Sequence, residues 1–246
     1  MSGHSKWKNI MHKKEKTDAQ RAKVFTKIGK EIAIAVKEAG ADPVSNTKLR
    51  DLISKAKSLN VPNDNIERTI KKALGSDAVT YEEIVYEGYG PCGVAVIVET
   101  ATDSKNRTAG NVRHYFDKFG GNLGQSGCVG FMFASKGVLD VSAVDEYGDK
   151  VVDGDKLMED ALEAGAEDFS EDGDIYEITT EPDDFDAVKT DLEAKGYTFV
   201  SAEIEKVPST YVTLTNEDDI KHMELLLEHL EEDEDIVNIW HNWDEQ

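Results

Sequence analysis

The residues whose types and spacing could do chemistry are cations near the start of the chain. His4, Lys6, Trp7, Lys8, His12, Lys13, Lys14 and Lys16 fall within the first sixteen positions, with little among them that could be buried. Arg21, Lys23, Lys27 and Lys30 follow on a stretch of helical periodicity, as a broad basic flank. Ammonium and guanidinium groups at this density neutralise phosphates, a mode of binding that does not read bases. Trp7 either stacks on a base or packs against neighbouring helices. A second group, Lys105, Asn106, Arg107 and Arg113, surrounds the start of an expected helix, where free amides and the helix dipole favour an anion. Surface ion pairs with nearby carboxylates are the alternative reading of that group.

The charge balance sharpens this. Residues 1–75 hold 17 Lys and Arg against 8 Asp and Glu, a net +9, whereas residues 76–246 hold 11 against 42, a net −31. The whole-chain charge of −22 hides the split. A positive arm on an acidic body reads as a nucleic-acid-facing element attached to something that must point away from phosphates.

Catalytic patterns are missing from the sequence. The six histidines show no metal-ligand spacing, and no G-x-S-x-G, Walker lysine loop or Cys–His pairing appears. Gly88-Tyr89-Gly90-Pro91-Cys92-Gly93 matches G-x-G-x-x-G by letter but leads into a strand, so it reads as a Gly-Pro hairpin. The acidic runs 217–219 and 231–235 read as solvated turns. No catalytic residue, metal site or cofactor is therefore expected. Cys92 and Cys128 make no disulfide framework and read as two buried thiols in a reducing cytosol. The longest apolar runs, 32–36 and 94–98, are far short of the ~20 residues that cross a bilayer, and the opening residues lack an apolar signal region, so a cytoplasmic protein without membrane contact is expected.

The elements that must position the cations follow from periodicity. A helix capped at Thr17 or Asp18 is expected to about 39, with Ala22, Phe25, Ile28, Ile32 and Ala35 inward, then helices at about 47–59 and 63–74, the last with Ile66, Ile70 and Leu74 inward. From Tyr81 the period becomes extended: strands at 81–87 and 93–101, a helix at 104–119, and a strand at 128–133 on which Val129, Phe131 and Phe133 share a side read as core-facing, with stacking of those aromatics on RNA bases as the alternative. Residues 136–206 read β-α-β-β-α-β, the ferredoxin-like order, and a strand at 210–214, a helix at 217–231 and a strand at 235–240 complete the interrupted preceding unit. The fold class is thus α+β and multidomain: an N-terminal three-helix domain (1–79), then two ferredoxin-like α/β domains, one (135–206) inserted in the other (80–134 plus 207–246).

Particular motifs add a resemblance. Gly3-His4-Ser5-Lys6-Trp7, Asn9-Ile10, His12-Lys13, Phe25-Thr26-Lys27, Asp42-Pro43 with Ser45-Asn46, Val61-Pro62 with Asn65-Ile66-Glu67-Arg68, Tyr86-Glu87-Gly88-Tyr89-Gly90-Pro91, Asn106-Arg107-Thr108 and Gly120-Gly121-Asn122-Leu123-Gly124 together resemble the YebC family, nearly end to end. Lys8, Met11 and Cys92 depart from the family pattern, which has alanine, lysine and glycine there. The resemblance implies a basic helical first domain and two α/β domains, in a family that includes a mitochondrial translational activator and members labelled DNA-binding transcriptional regulators. The chain is accordingly read as a non-enzymatic, nucleic-acid-binding regulator of gene expression. Ribosomal or other structured RNA is the preferred partner, because no compact base-reading helix stands out. Duplex DNA is the alternative, and a protein partner suits the acidic domains.

Overall fold

The computed structural model describes residues 18–76, 78–145 and 147–244. The expected cap at Thr17 or Asp18 lies outside the described side chains. Among the described residues three helices come first: α1 (Asp18–Ala39), α2 (Thr47–Ser58) and α3 (Asn63–Ala73). Ile28, Ile32, Ala35 and Val36 of α1 pack with Leu49, Leu52 and Ala56 of α2 and Ile66 and Ala73 of α3. Two expected inward positions are not buried: Ala22 is exposed, and Leu74 caps the end of α3 at 62% exposure. The helices are joined through Asn46, a buried N-cap. Its Oδ1 accepts from the Leu49 amide at 3.0 Å, and its Nδ2 donates to the carbonyls of Ala35 at 2.8 Å and Gly40 at 2.7 Å.

The chain then forms β1 (Glu82–Tyr89), β2 (Ala95–Thr102), α4 (Lys105–Lys118) and β3 (Asn122–Leu123). Next come β4 (Phe133–Ser142), α5 (Gly154–Ala164), β5 (Asp168–Asp172), β6 (Ile175–Thr180), α6 (Phe185–Ala194) and β7 (Ser201–Pro208). The chain ends with β8 (Val212–Thr213), α7 (Glu217–Glu232), β9 (Ile236–His241) and β10 (Trp243–Asp244). Residues Phe133–Ser209 close as a compact unit whose antiparallel sheet runs β5-β6-β4-β7, the ferredoxin-like order, with α5 and α6 packed on Leu139, Val141, Tyr176 and Ile178.

The other sheet runs β3-β1-β2-β9. Its faces are set by cross-strand register, since paired residues point the same way. Val96 and Val98, opposite Gly88 and Tyr86, face α4 and α7 and join Val112, Phe116, Met223 and Leu226. Ala95, Ile97 and Ala101, opposite Tyr89, Glu87 and Glu83, face the other way, and there α1 lies against β2 and β9. Strand β2 is thus covered on both sides, which is why the run 94–98 has no polar alternation. The run 32–36 is buried throughout for the same reason: Ile32, Ala33, Ala35 and Val36 serve the bundle core, and Ile34 is buried outside it. Gly88 is required by close approach, as a Cβ there would meet the Asn122 carbonyl oxygen at 2.6 Å and Phe116 at 2.8 Å.

Several expectations are corrected. Residues 128–133 are not a strand: Gly130–Met132 is a 3-10 turn, because the buried Glu87 carboxylate takes the amides of Gly127 (2.8 Å), Val129 (2.8 Å) and Gly130 (2.7 Å) that a sheet ladder would need. Val129 is buried, but Phe131 is 80% exposed and does not share its environment. The expected strand at 210–214 shrinks to β8, which pairs in parallel with β10 and does not join the main sheet. The glycine-rich segment before β2 does form a turn between antiparallel strands, with Cys92 at a φ of 53°. Cys92 is exposed and Cys128 half-buried, so the pair is not a pair of buried thiols.

Replacing Asn46 by Ala is expected to lower stability by about 2–3 kcal/mol in urea unfolding, because a cap and two bonds to carbonyls are lost together. Asn46→Ser should retain the cap and lose about half as much.

Candidate nucleic-acid interface

Of the cations nominated from the sequence, His4, Lys6, Lys8, His12, Lys13, Lys14 and Lys16 lie outside the described residues, as does Trp7. Arg21 is exposed and Lys23 half-buried near the start of α1. Lys27 and Lys30 turn inward. The Lys27 ammonium donates to the Glu231 carbonyl, and the Lys30 ammonium donates to the Glu234 carbonyl at 2.9 Å and to Asp235 Oδ1 at 2.7 Å. The C-terminal end of α7 has free carbonyls and a negative dipole end, which cations stabilise. Lys27 and Lys30 therefore hold the helical bundle onto the end of α7.

Asp235 is the centre of this junction. Its Oδ2 accepts from Arg107 Nη2 at 2.7 Å, Thr108 Oγ1 at 2.9 Å and Thr102 Oγ1 at 3.2 Å, and its side chain is only 5% exposed. Burial alone would raise its pKa. Hydrogen bonds from Lys30, Arg107 and Thr108 outweigh that and hold it down at about 2. The acidic run 231–235 is solvated only in part: Glu231, Glu232 and Glu234 are exposed, but Asp235 is the buried receptor of two cations, and Asp233 accepts from Asn111 at 3.0 Å and Tyr115 at 3.1 Å. Glu217 to Asp219, in the first turn of α7, follow a capping Asn216.

The group at the start of α4 does not converge on an open anion site. Arg107 is taken by Asp235 and Asp103, and Lys105 pairs with Glu82 at 3.0 Å. Asn106 and Arg113 remain exposed, and Arg113 has no ion pair among the described residues. Other bundle cations facing the sheet are also engaged: Lys37 with Thr80 at 2.8 Å, Lys48 with Glu83 at 2.8 Å and Glu38 at 3.1 Å, and Lys55 toward Asn238 at 3.5 Å.

What stays available lies on the outer side of the bundle. Lys57 at the end of α2, and Arg68, Lys71 and Lys72 on α3, are exposed and form no ion pair among the described residues. Sequence reasoning passed over these four, although the signal was present. On α3 the apolar Ile66 and Ile70 turn inward, which leaves Arg68, Lys71 and Lys72 outward. Exposed ammonium and guanidinium groups on one helix can meet successive phosphates and cannot by themselves read bases. Acid–base chemistry finds no comparable support. Among the described residues no cluster could hold a metal ion, and His241 is pushed down to about 4 by burial, so it is neutral near pH 7. No helix among the described residues is long and apolar enough to cross a membrane.

Comparison with known proteins agrees with this architecture. Residues 5–76 match the TACO1/YebC protein N-terminal domain, and residues 81–243 match the TACO1/YebC second and third domain. The chain belongs to the TACO1/YebC family. A protein of Acetivibrio thermocellus named a probable transcriptional regulatory protein is 57% identical over 244 residues, covering 99% of both chains. A similarly named protein of Ruminiclostridium cellulolyticum is 57% identical over 246 residues, covering 100% of this chain and 97% of its own. The crystal structure of the conserved hypothetical protein Aq1575 from Aquifex aeolicus superposes with a TM-score of 0.82 at 41% identity, covering 93% of this chain and 92% of its own.

A carboxyl held at about 2 contributes stability above its unfolded value of about 4 and loses that contribution as pH falls from about 4 to about 2. Asp235→Asn should therefore cost about 2–4 kcal/mol in urea unfolding at pH 7, because the largely buried Lys30 ammonium loses its counter-charge. The variant's stability should also fall less steeply than the parent's between about pH 4 and about pH 2.

Proposed function

We propose that this protein is a nucleic-acid-binding regulator of gene expression that grips phosphates through its basic helical domain. The observation that carries the reading is the exposed set Lys57, Arg68, Lys71 and Lys72, which form no ion pair among the described residues, in a chain whose residues 76–246 have a net charge of −31. Lys6, Lys8, Lys13, Lys14 and Lys16 extend the same positive element in sequence, with Arg21 and Lys23 beside them. Lys27 and Lys30 are assigned to holding the bundle in place. No catalytic role is proposed.

Structured RNA, and in particular the ribosome, is the preferred target. Lysines and outward helical cations suit the shape and backbone of a folded RNA. A second reading, regulation of transcription on duplex DNA, is favoured by the names of the relatives, which are called probable transcriptional regulatory proteins.

Charge reversal at Lys71 and Lys72 together should weaken binding to a labelled RNA hairpin at least ~10-fold and reduce the slope of log affinity against log salt by about 2. Equal affinity for parent and variant across about 50–200 mM salt would remove the basis of the reading. Sedimentation decides the target: association with purified ribosomes that salt releases favours RNA, and sequence-preferring duplex binding that ignores ribosomes favours DNA.

A further inference from the structure

Residues 119–135 contain no charged side chain, although 32% of the chain is Asp, Glu, Lys or Arg. This is the longest neutral stretch in the sequence, and it includes five glycines and the segment Gly130-Phe131-Met132-Phe133. Packing does not account for it, since residues 124–127 are exposed and Phe131 is 80% exposed. A large aromatic left in water on a glycine-rich loop would ordinarily sample many positions. This loop is held instead. The buried Glu87 carboxylate receives three of its amides, Tyr89 Oη donates to the Cys128 carbonyl at 3.1 Å, and the Gly124 amide donates to the Glu87 carbonyl at 2.8 Å. The fit is close at position 130, where a Cβ would stand 3.3 Å from Glu87 Oε2.

The position of this anchor matters more than the exposure. Glu87 shares its sheet face with Ile97, Ala95 and Glu83, the face on which the helical bundle rests. Across the sheet the order is β3-β1-β2-β9: α1 lies over β2 and β9, and the neutral loop lies over β1 beside it. Lys48 of α2 meets Glu83 on that same strand, and Val85, between Glu83 and Glu87 on the same face, is 46% exposed. The loop thus lies over β1, next to the strand on which α1 rests, and carries no carboxylate of its own.

We propose that Phe131 is a stacking platform for an unpaired base of the same RNA whose phosphates the helical domain holds. An aromatic ring accepts any base because every base has a π-face, and a neutral loop lets the strand approach an otherwise acidic domain without repulsion. Holding the backbone in advance reduces the ordering cost of binding, which gives Glu87 its purpose. The inference rests on the RNA-binding reading above and adds single-stranded character to the target.

The test compares two labelled RNAs of equal length by fluorescence anisotropy, one a hairpin with an unpaired loop, the other a fully paired duplex. Phe131→Ala should weaken binding of the looped RNA roughly 10-fold, leave the duplex unchanged, and leave the salt slope unchanged because no phosphate contact is lost. Phe131→Trp should restore or strengthen it. Since Phe131 is exposed, both variants should unfold at the parent's urea midpoint. Equal loss on both RNAs, or no loss on either while charge reversal at Lys71 and Lys72 still weakens both, overturns stacking and leaves the helical-domain reading standing. If the lysine reversals are also without effect, the underlying reading fails. If Phe131→Ala spares RNA but abolishes binding to purified ribosomal proteins, the loop is a protein contact and the stacking proposal is wrong.

Discussion

One buried carboxylate ties the helical bundle to the sheet that carries it. Asp235 gathers Lys30 from α1, Arg107 and Thr108 from α4 and Thr102 from the end of β2. Lys30 and Asp235 would each be costly to bury alone, and they are satisfied by one another, by the two threonines and by the half-exposed Arg107. The partners are far apart in sequence, with Lys30 and Asp235 separated by 205 positions. The junction therefore exists only where α1, α4 and the start of β9 come together. The buried, almost uncharged face of β2 supplies the apolar contact that brings them together, and the ion pairs then select one orientation.

This arrangement sorts the cations into two populations. Those facing the sheet, including Lys27, Lys30, Lys37 and Lys48, are bound to the protein's own carbonyls, hydroxyls and carboxylates. Those facing away, Lys57, Arg68, Lys71 and Lys72, are left for an external polyanion. An acidic body needs this sorting, because carboxylates close to a free lysine would otherwise neutralise it. The Glu87 anchor repeats the idea on a smaller scale: a carboxylate placed under the sheet surface is consumed by backbone amides, and the loop above it presents no charge.

Much of the fold was legible in the sequence. The helices at 18–39, 47–58 and 63–73 follow apolar spacing, and the β-α-β-β-α-β order follows its period changes and the glycines after its helices. Misreadings occurred where a side chain replaced a regular partner. Residues 128–133 have strand-like composition, yet Glu87 takes their amides, and a single glutamate forty residues earlier gives no local sign of that. The candidate site was legible as a domain but not as a face: Lys30 and Lys72 look alike in sequence, and one is buried against Asp235 while the other is exposed.

The amino-acid order alone determined the separation of positive from negative charge, the alternation of helical and extended periods, and the family, because each of these is local or compositional. Tertiary structure alone decided which lysines are spent internally, which remain outside, and that Phe131 faces water. Those outcomes depend on what lies a few ångströms away in space, and electrostatic and hydrogen-bond partners drawn from opposite ends of a chain leave no periodicity for a sequence to reveal.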